Sequence, residues 1–391
     1  MSSAPGFLEP SKLRSLRLWW RYALLSMLLV TVILPAPLRS ESLTTETAPV
    51  PLESANSSSL VGEVLHENDW AIEDGTTCLP PNTSRGNIRL SADALFWTVR
   101  EGSADNWAQV ITPKEALGSY VGTATLVDAP FDWNTGFRVG LECQRGTDGS
   151  GIALQYTNFN TTATSRAAGE VYSAFLGNFF ADNTDGDAFG PHYRSASIQW
   201  DFEFQTIDLQ VQRSLPIARN LTVRPFIGLK TAFINQSVKS CWHQPIDTAE
   251  KTYHFTSANE DLKQNFWGIG PSLGATLKIP LYTRQRYTLK FFGTPSGALM
   301  YGHWTFSDVY TNDGPTSISI DSNPITGVAT MVSCVMGIEW TQRFSRASTT
   351  LRVGYESQIW LNQMQFYSYN MGRLNNLMSL HGGILEFSIN Y

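Results

Sequence analysis

The chain has 391 residues, of which 42% are hydrophobic and 16% are charged, and it contains 21 Phe, 14 Tyr and 12 Trp. Soluble globular proteins contain about a quarter charged residues, so this composition argues against an ordinary soluble protein, and the lack of long apolar runs argues against a helical membrane protein. Residues 41–391 carry 23 basic and 33 acidic side chains, a net charge near −10, so we expect no nucleic-acid partner.

Residues 1–40 have the features of a secretory signal peptide. Three arginines precede the apolar run 22–34, and Pro35 ends it. A basic region, a short apolar core and a helix breaker direct export, and an apolar core of 13 residues is too short to span a bilayer. The alternative is an uncleaved N-terminal anchor, because Trp19 and Trp20 lengthen the apolar stretch.

Residues 41–87 show no sustained periodicity. They are rich in Ser, Thr, Pro and Glu, and they offer too little apolar surface to offset the entropy cost of ordering the chain. We therefore expect a signal peptide at 1–40, a flexible periplasmic segment at 41–87 and one folded domain at 88–391.

From residue 88 onward apolar and polar residues alternate with the period of a β-strand. Ile88, Leu90 and Phe96, for example, fall on one face of the first strand, opposite Arg89 and Asp93. The alternation predicts ten strands, at 88–100, 132–145, 150–160, 193–213, 221–236, 263–279, 287–310, 325–343, 349–366 and 378–391.

The links between these strands alternate between short and long. The short links are 146–149, 214–220, 280–286 and 344–348, and the long links are 101–131, 161–192, 237–262, 311–324 and 367–377. Short periplasmic turns and long extracellular loops are typical of outer-membrane barrels, and in lipid only a closed sheet satisfies every backbone group without helices. The predicted fold class is all-β, a closed antiparallel transmembrane β-barrel of about ten strands in the bacterial outer membrane.

Two features leave the strand number and one strand's geometry open. Further strands at 106–111 and 123–127 would raise the number to twelve and widen the lumen. In the strand 193–213 the alternation changes phase after Thr206, which predicts a β-bulge. With that bulge, Asp201 and Glu203 face the lumen.

Outward aromatic residues are expected to form girdles at the two membrane interfaces. These aromatic residues are Trp200, Trp267, Trp340, Tyr355 and Tyr391.

The last strand ends in a pattern typical of outer-membrane proteins. Leu385, Phe387, Ile389 and Tyr391 alternate with polar residues, and the chain stops on the aromatic residue. This pattern resembles the C-terminal signal that the barrel-assembly machinery recognises. We therefore expect that machinery and outer-membrane lipid as partners.

Several motifs resemble those of a known family, the pore-forming major outer membrane proteins of the Legionella and chlamydial type. The most specific piece is 131–140 (FDWNTGFRVG), and 92–101, 266–271 and 297–302 are also similar. The resemblance implies a general diffusion porin and cross-linking through cysteines in the envelope. An extensive disulfide network is not expected from four cysteines, and neither the oligomeric state, including a homo-oligomer, nor the cysteine pairing follows from the sequence. The four are Cys78, Cys143, Cys241 and Cys334.

If the apolar faces contact lipid, the opposite faces line the lumen. Their charges are nearly balanced, which predicts a water-filled channel with weak charge selectivity for small hydrophilic solutes. The alternative is that the charges pair across a narrow ten-stranded interior and close it, which gives a structural or adhesive surface barrel. The lumen candidates are Arg89, Asp93, Arg138, Glu142, Asp201, Glu203, Asp208, Arg224, Lys230, Lys278, Lys290, Glu339, Arg352, Glu356 and Glu386.

Enzymatic and metal-binding interpretations are weaker. The stretch 270–274 matches the G-x-S-x-G motif of hydrolases, but strand alternation continues through it, where a nucleophile elbow needs a sharp turn into a helix. His243 and His254 lie in one expected loop with Asp247 and Glu250 between them, but nothing in the sequence assembles a histidine, an acid and a nucleophile into a site. The acidic stretch 182–187 (DNTDGD) lacks the spaced ligands and terminal Glu of an EF-hand. We therefore expect no enzyme, no cofactor and no metal site.

Overall fold

A computed structural model describes residues 87–102, 106–114, 121–145, 149–174, 192–218, 220–247, 252–314, 317–368 and 372–391. The expected signal peptide, the segment 41–86 with Cys78, and the acidic stretch 182–187 lie outside the described residues. Within the described ranges, no helix has the length and apolarity needed to cross a membrane.

The described chain is built from β-strands joined by turns and irregular segments. The strands are β1 (Asn87–Glu101), β2 (Asn106–Lys114), β3 (Val121–Asp128), β4 (Asn134–Arg145), β5 (Ser150–Ser173), β6 (Tyr193–Arg213), β7 (Leu215–Ala218), β8 (Leu221–Pro245), β9 (Ser257–Thr283), β10 (Tyr287–Asn312), β11 (Ser317–Asp321), β12 (Ile325–Arg343), β13 (Ser348–Ser368) and β14 (Gly372–Asn390).

Ten of these strands form a closed antiparallel ring. The order is β5, β4, β1, β14, β13, β12, β10, β9, β8, β6, and the pairing of β6 with β5 closes it. β1 and β14, the first and last strands along the chain, are neighbours in this ring. At the end of this strand pair, Ile88 and Tyr391 exchange two backbone hydrogen bonds of 2.9 and 3.0 Å. The predicted ten-stranded closed barrel is therefore confirmed.

The hairpin of β2 and β3 lies outside this ring. β2 pairs with β3 along its length and with only a short part of β5, residues 108–111 against 170–173. The strands expected at 106–111 and 123–127 are therefore present, but β5 and β6 close the ring without them. The twelve-stranded alternative is wrong for this reason.

The barrel has two halves that differ in the polarity of their outer surface. In the half next to the short turns, here called the inner half, outward side chains are apolar and between 40% and 66% exposed, which is typical of a surface in contact with lipid. Examples are Leu90, Leu141, Ile152, Ile207, Leu209, Ile227, Leu273, Ile338 and Val353. In the half next to the long loops, here called the outer half, most outward side chains are polar, with exceptions such as Val309 and Leu377, and the interior is aromatic.

Strand β6 passes from one half to the other without a change of phase. Its pairing with β5 and β8 has no register shift near Thr206, so the predicted bulge is absent. Trp200 is completely buried in the interior, whereas Asp201 and Glu203 lie on the outside. The expected lumen positions of Asp201 and Glu203 and the expected girdle position of Trp200 are wrong, because the polarity of the two faces changes there while the side-chain phase does not.

The other expected outward aromatic residues do lie on the outer face. Trp267 and Trp340 are about 42–43% exposed, and Tyr391 is 74% exposed. Tyr355 lies on the same face and contacts the imidazole of His381, with ring centroids 6.3 Å apart.

The strands also extend further into the expected loops than the sequence indicated. β5 continues to Ser173 and β8 to Pro245, inside the expected loops 161–192 and 237–262. β9 has 27 residues, which corresponds to roughly 90 Å at about 3.3 Å per residue, whereas about ten residues cross a membrane. The outer half of the barrel therefore extends beyond the apolar belt.

Candidate functional site

The inner half has a charged interior, because the alternation that exposes Leu and Ile to lipid turns every second residue inward. Thirteen of the fifteen lumen candidates proposed from the sequence lie here. We call these thirteen residues the charged cluster. They are Arg89, Asp93, Arg138, Glu142, Asp208, Arg224, Lys230, Lys278, Lys290, Glu339, Arg352, Glu356 and Glu386.

Glu339 lies in the part of the charged cluster next to the periplasmic turns and forms ion pairs with three cations. Lys278 Nζ and an Arg352 nitrogen each lie 2.8 Å from its carboxylate oxygens, and Lys290 Nζ lies at 3.6 Å. Arg352 also pairs with Glu386 at 2.8 Å. The Glu339 carboxylate is only 2% exposed, so these cations replace the water that would otherwise solvate it.

Arg89 on β1 extends the same chain of ion pairs from Glu386 on β14 to Glu142 on β4. Its Nη2 lies 2.5 Å from Glu386, and its Nη1 lies 3.8 Å from Glu142. Arg224 donates from both terminal nitrogens to Glu142, and Gln144 donates to the same carboxylate at 2.6 Å. An unbroken chain of ion pairs therefore connects strands β8, β4, β1, β14, β13, β12, β10 and β9.

Arg138 lies one layer further from the periplasmic turns. Its guanidinium pairs with Asp93 at 3.5 Å and with Glu356 at 2.9 Å, and its Nε donates to Thr157 at 3.1 Å. The guanidinium carbon lies 5.4 Å from the Trp97 ring centroid, a cation–π contact. Arg138 therefore joins the charged cluster to the aromatic side chains above it.

A cavity of about 210 Å³ lies within the charged cluster. Polar side chains without charge, such as Ser272, Thr276 and Ser333, line it together with the cluster. The volume corresponds to that of roughly seven water molecules at about 30 Å³ each. The cavity is therefore a small space lined largely by polar side chains.

The interior of the outer half is filled by aromatic and other apolar side chains. Phe204 contacts both Trp97 and Trp360, with ring centroids 6.4 and 5.5 Å apart, so aromatic rings from β1, β6 and β13 join across the interior. We call the buried aromatic residues of this half the aromatic core. They are Trp97, Trp107, Phe131, Phe159, Tyr193, Trp200, Phe202, Phe204, Trp242, Phe266, Trp304, Phe306, Tyr310 and Trp360.

Buried polar side chains also occur within the aromatic core, and the sequence did not reveal them. Gln236 donates to Glu101 at 2.9 Å and accepts from the Trp200 indole at 3.0 Å. Glu260 on β9 and Asp308 on β10 are buried carboxyls on paired strands, and they interact with each other. Glu101 and Glu260 were missed because they were expected in long loops. Asp308 was expected in a strand, but nothing in the sequence indicated that its side chain is buried.

Asp308 lies beyond the apolar belt, where its outward neighbours are polar. Burial raises its pKa to about 7, together with a smaller effect of the nearby charge of Asp261 and against the interaction with Glu260. Ser240 donates to Glu260 at 3.2 Å and accepts from the Trp242 indole at 2.7 Å. Two adjacent buried carboxyls of this kind share a proton near neutral pH.

The structure separates the residues of the enzymatic interpretations. Ser272 of the G-x-S-x-G motif lies in the middle of β9 and faces the interior. His243 is on the outside of β8, and His254 lies in the segment before β9. In the part of the chain that the structure describes, no group of three or more His, Cys, Asp or Glu side chains is arranged to hold a metal ion.

The described cysteines are free thiols. Cys143 and Cys334 lie on the outer face of the inner half, as the alternation predicted, and Cys241 lies on the outer face of the outer half. None of these three forms a disulfide bond with another described residue.

The family of the chain follows from comparison with known proteins. The model of the Legionella pneumophila major outer membrane protein precursor family matches residues 80–390, which includes the whole described barrel. The chain belongs to this family. Membership in the Legionella major outer membrane protein family places the barrel in the bacterial outer membrane, with lipid around its apolar belt.

Solved structures with a similar arrangement are outer-membrane barrels of low sequence identity. The outer membrane protease OmpT from Escherichia coli is 13% identical, with 78% of this chain and 96% of that chain covered and a TM-score of 0.34. A major outer membrane protein from Thermus thermophilus is 11% identical, with 78% and 100% covered and a TM-score of 0.30. OprG from Pseudomonas aeruginosa is 10% identical, with 79% and 96% covered and a TM-score of 0.23. No curated protein matches the chain.

Proposed function

We propose that this family member is a structural surface barrel that is closed to solutes in its resting state, the second of the two hypotheses from the sequence. The observation that carries the proposal is the aromatic core, in which Phe204 contacts Trp97 and Trp360 across the interior of the outer half. A small hydrophilic solute would have to displace these rings, and displacing a buried Trp or Phe costs roughly 3 to 5 kcal/mol.

The outer surface supports a role outside the membrane. Beyond the apolar belt the barrel has polar outward side chains, and they hydrogen-bond between neighbouring strands. Thr162 donates to Asp201 at 2.8 Å, and Asn235 donates to Glu203 at 3.3 Å. This surface is that of a water-soluble barrel with an apolar interior, so the outer half is a rigid platform at the cell surface that carries the long loops.

The second candidate is the porin, a passive channel for small hydrophilic solutes with weak charge selectivity. The polar cavity within the charged cluster favours it, because eleven charged side chains surround a space that water can occupy. In this candidate the pore-lining residues are the inward members of the sequence proposal. The outer half would need an open state in which the aromatic core no longer fills the interior.

Conductance across a planar lipid bilayer separates the two candidates. The refolded protein would be added at increasing concentration and recorded at several voltages of both signs. We expect no stable single-channel steps if the barrel is closed. Reproducible steps of one size, at a voltage that leaves a closed control barrel silent, would contradict the closed barrel and favour the porin.

We further propose that Leu385, Phe387, Ile389 and Tyr391 form the signal for the barrel-assembly machinery. All four lie on the outer face of β14 or directly after it, and Tyr391 is bonded to Ile88 of the first strand. We propose no enzymatic role, because the serine of the hydrolase-like motif lies inside a straight strand. The assembly signal can be tested by Tyr391→Ser, which we expect to lower insertion into the outer membrane, with Tyr282→Ser as the control.

A further inference from the structure

The periplasmic end of the barrel is basic, although the chain as a whole is acidic. Six exposed arginines lie in or beside the short turns, and the described residues of these turns carry no acidic side chain. Of the turn residues outside the described part, Asp148 and Arg219 are charged and cancel. We call these six residues the arginine collar. They are Arg145, Arg213, Arg284, Arg286, Arg343 and Arg346.

The layer of the charged cluster next to the arginine collar has the same sign. It contains five cations and three carboxylates, an excess of two positive charges. The cations are Arg89, Arg224, Lys278, Lys290 and Arg352, and the carboxylates are Glu142, Glu339 and Glu386. Each carboxylate already binds at least two cations, so the excess charge is not neutralised by the described side chains of this layer.

The next layer has the opposite sign. Arg138 and Lys230 face Asp93, Asp208 and Glu356, which leaves one excess negative charge. An anion that enters from the periplasm would therefore be attracted by the first layer and repelled by the second. Such an arrangement retains an anion at the periplasmic end and opposes its passage.

Besides carboxylate oxygens of the second layer, such as Asp93 Oδ1 and Asp208 Oδ1, two polar atoms at the cavity have no hydrogen-bond partner among the described residues. They are Arg224 Nε and Ser272 Oγ, and both residues are more than nine-tenths buried and line the cavity. Buried donors of this kind are normally satisfied by protein, water or a ligand. Ser272 lies near Lys230 of the second layer, whereas Arg224 belongs to the first layer. An anion in the first layer could therefore accept from Arg224 Nε.

We propose that the periplasm-facing part of this cavity binds a small anion with two negative charges, of the phosphate class. Two lysines of the first layer keep some exposure to solvent, 27% for Lys290 and 18% for Lys278. The arginine collar increases the local concentration of anions at this entrance. Binding does not require an open pore, so the proposal is independent of whether the barrel conducts.

Isothermal titration with inorganic phosphate tests the site. The full chain would be refolded into vesicles of zwitterionic phosphatidylcholine, so that no lipid with a net negative charge competes. We expect saturable binding by the wild type and roughly tenfold weaker binding by Lys278→Gln, because a hydrogen bond to a charged group is lost. Lys263→Gln is the matched control, since Lys263 lies on the same strand but on the outside of the outer half and is 55% exposed.

The conservative variant and a second lipid complete the experiment. Lys278→Arg keeps the charge and should bind phosphate nearly as well as the wild type, which separates a loss of charge from a loss of folding. If a lipid headgroup is the natural ligand, adding phosphatidylglycerol to the vesicles abolishes phosphate binding, and if the ligand is a free anion, it does not. Absence of saturable phosphate binding in zwitterionic vesicles, or equal binding by Lys278→Gln and wild type, would overturn the proposal.

Discussion

Arg138 and Glu356 lie 218 positions apart in the sequence, and their side chains form an ion pair of 2.9 Å inside the barrel. Their strands, β4 and β13, are not neighbours, because β1 and β14 lie between them in the ring. The pair therefore crosses the lumen instead of following one strand pair. Together with Asp93 on β1, it connects three strands and fills the space directly below Trp97.

Glu356→Gln should destabilise the barrel. The guanidinium of Arg138 would retain only Asp93 as a charged partner, and removing one member of a buried ion pair leaves an uncompensated buried charge. We expect a loss of roughly 1 to 3 kcal/mol in the free energy of unfolding, measured by urea titration of the protein in lipid vesicles.

Glu203→Gln is the matched control for this prediction. Glu203 lies outside the outer half, where the sequence alone had placed it in the lumen, and its substitution should change the free energy by no more than about 0.5 kcal/mol. Equal effects of the two substitutions would show that the inward and outward positions are not as described.

Removal of the aromatic core should open the barrel. In the double variant Phe204→Ala/Trp360→Ala, the two rings that contact each other at 5.5 Å are lost, and the interior between β6 and β13 becomes empty. We expect single-channel steps in planar bilayers that the wild type does not show. The cost in stability should be roughly 3 to 5 kcal/mol per ring.

Trp340→Ala controls for the loss of a large aromatic residue from the same protein. Trp340 lies on the lipid-facing side of β12 and is 43% exposed, so its removal should leave the conductance unchanged. A double variant that folds and stays silent would contradict the assignment of the aromatic core as the barrier.

Much of the inner half could be predicted from the sequence, because lipid outside and charge inside produce a clear alternation from Arg89 onward. The number of ring strands and the inward position of thirteen lumen candidates follow from that pattern. The outer half could not be predicted in the same way. At Trp200 the alternation has the same period but the opposite meaning, because water is outside and apolar side chains are inside. A change of solvent along one strand resembles a bulge in the sequence, and only the pairing of β6 with β5 and β8 distinguishes the two.

Cysteine labelling should locate this change of solvent on β6. In a variant with all native cysteines replaced by serine, Asp201→Cys should react with a membrane-impermeant maleimide added to whole cells. Ile207→Cys should react poorly, because its side chain lies in the apolar belt. The two positions are six residues apart along β6, and both side chains point outward. Protection of position 201 from the reagent, with reaction at position 207, would contradict the boundary described for the two halves.

The Glu260–Asp308 pair should make stability depend on pH in a direction opposite to that of ordinary carboxylates. Burial raises the pKa of Asp308 to about 7, whereas an unfolded Asp has a pKa near 3.9. Between about pH 4 and pH 7 the folded state therefore keeps a proton that the unfolded state releases, so this group's contribution to stability falls as pH rises through that range and is constant above it.

Asp308→Asn should remove this dependence, because the amide keeps a similar shape without a titratable proton. We expect the free energy of unfolding of the variant, relative to that of the wild type, to increase by roughly 2 kcal/mol as the pH rises from 5 to 8, measured by urea titration at each pH. Asp201→Asn, on the exposed outer surface, should show no such gain and controls for the loss of one negative charge. If the difference between Asp308→Asn and wild type stays constant across this range, Asp308 does not titrate there, and the two carboxyls are not held together in a dry interior.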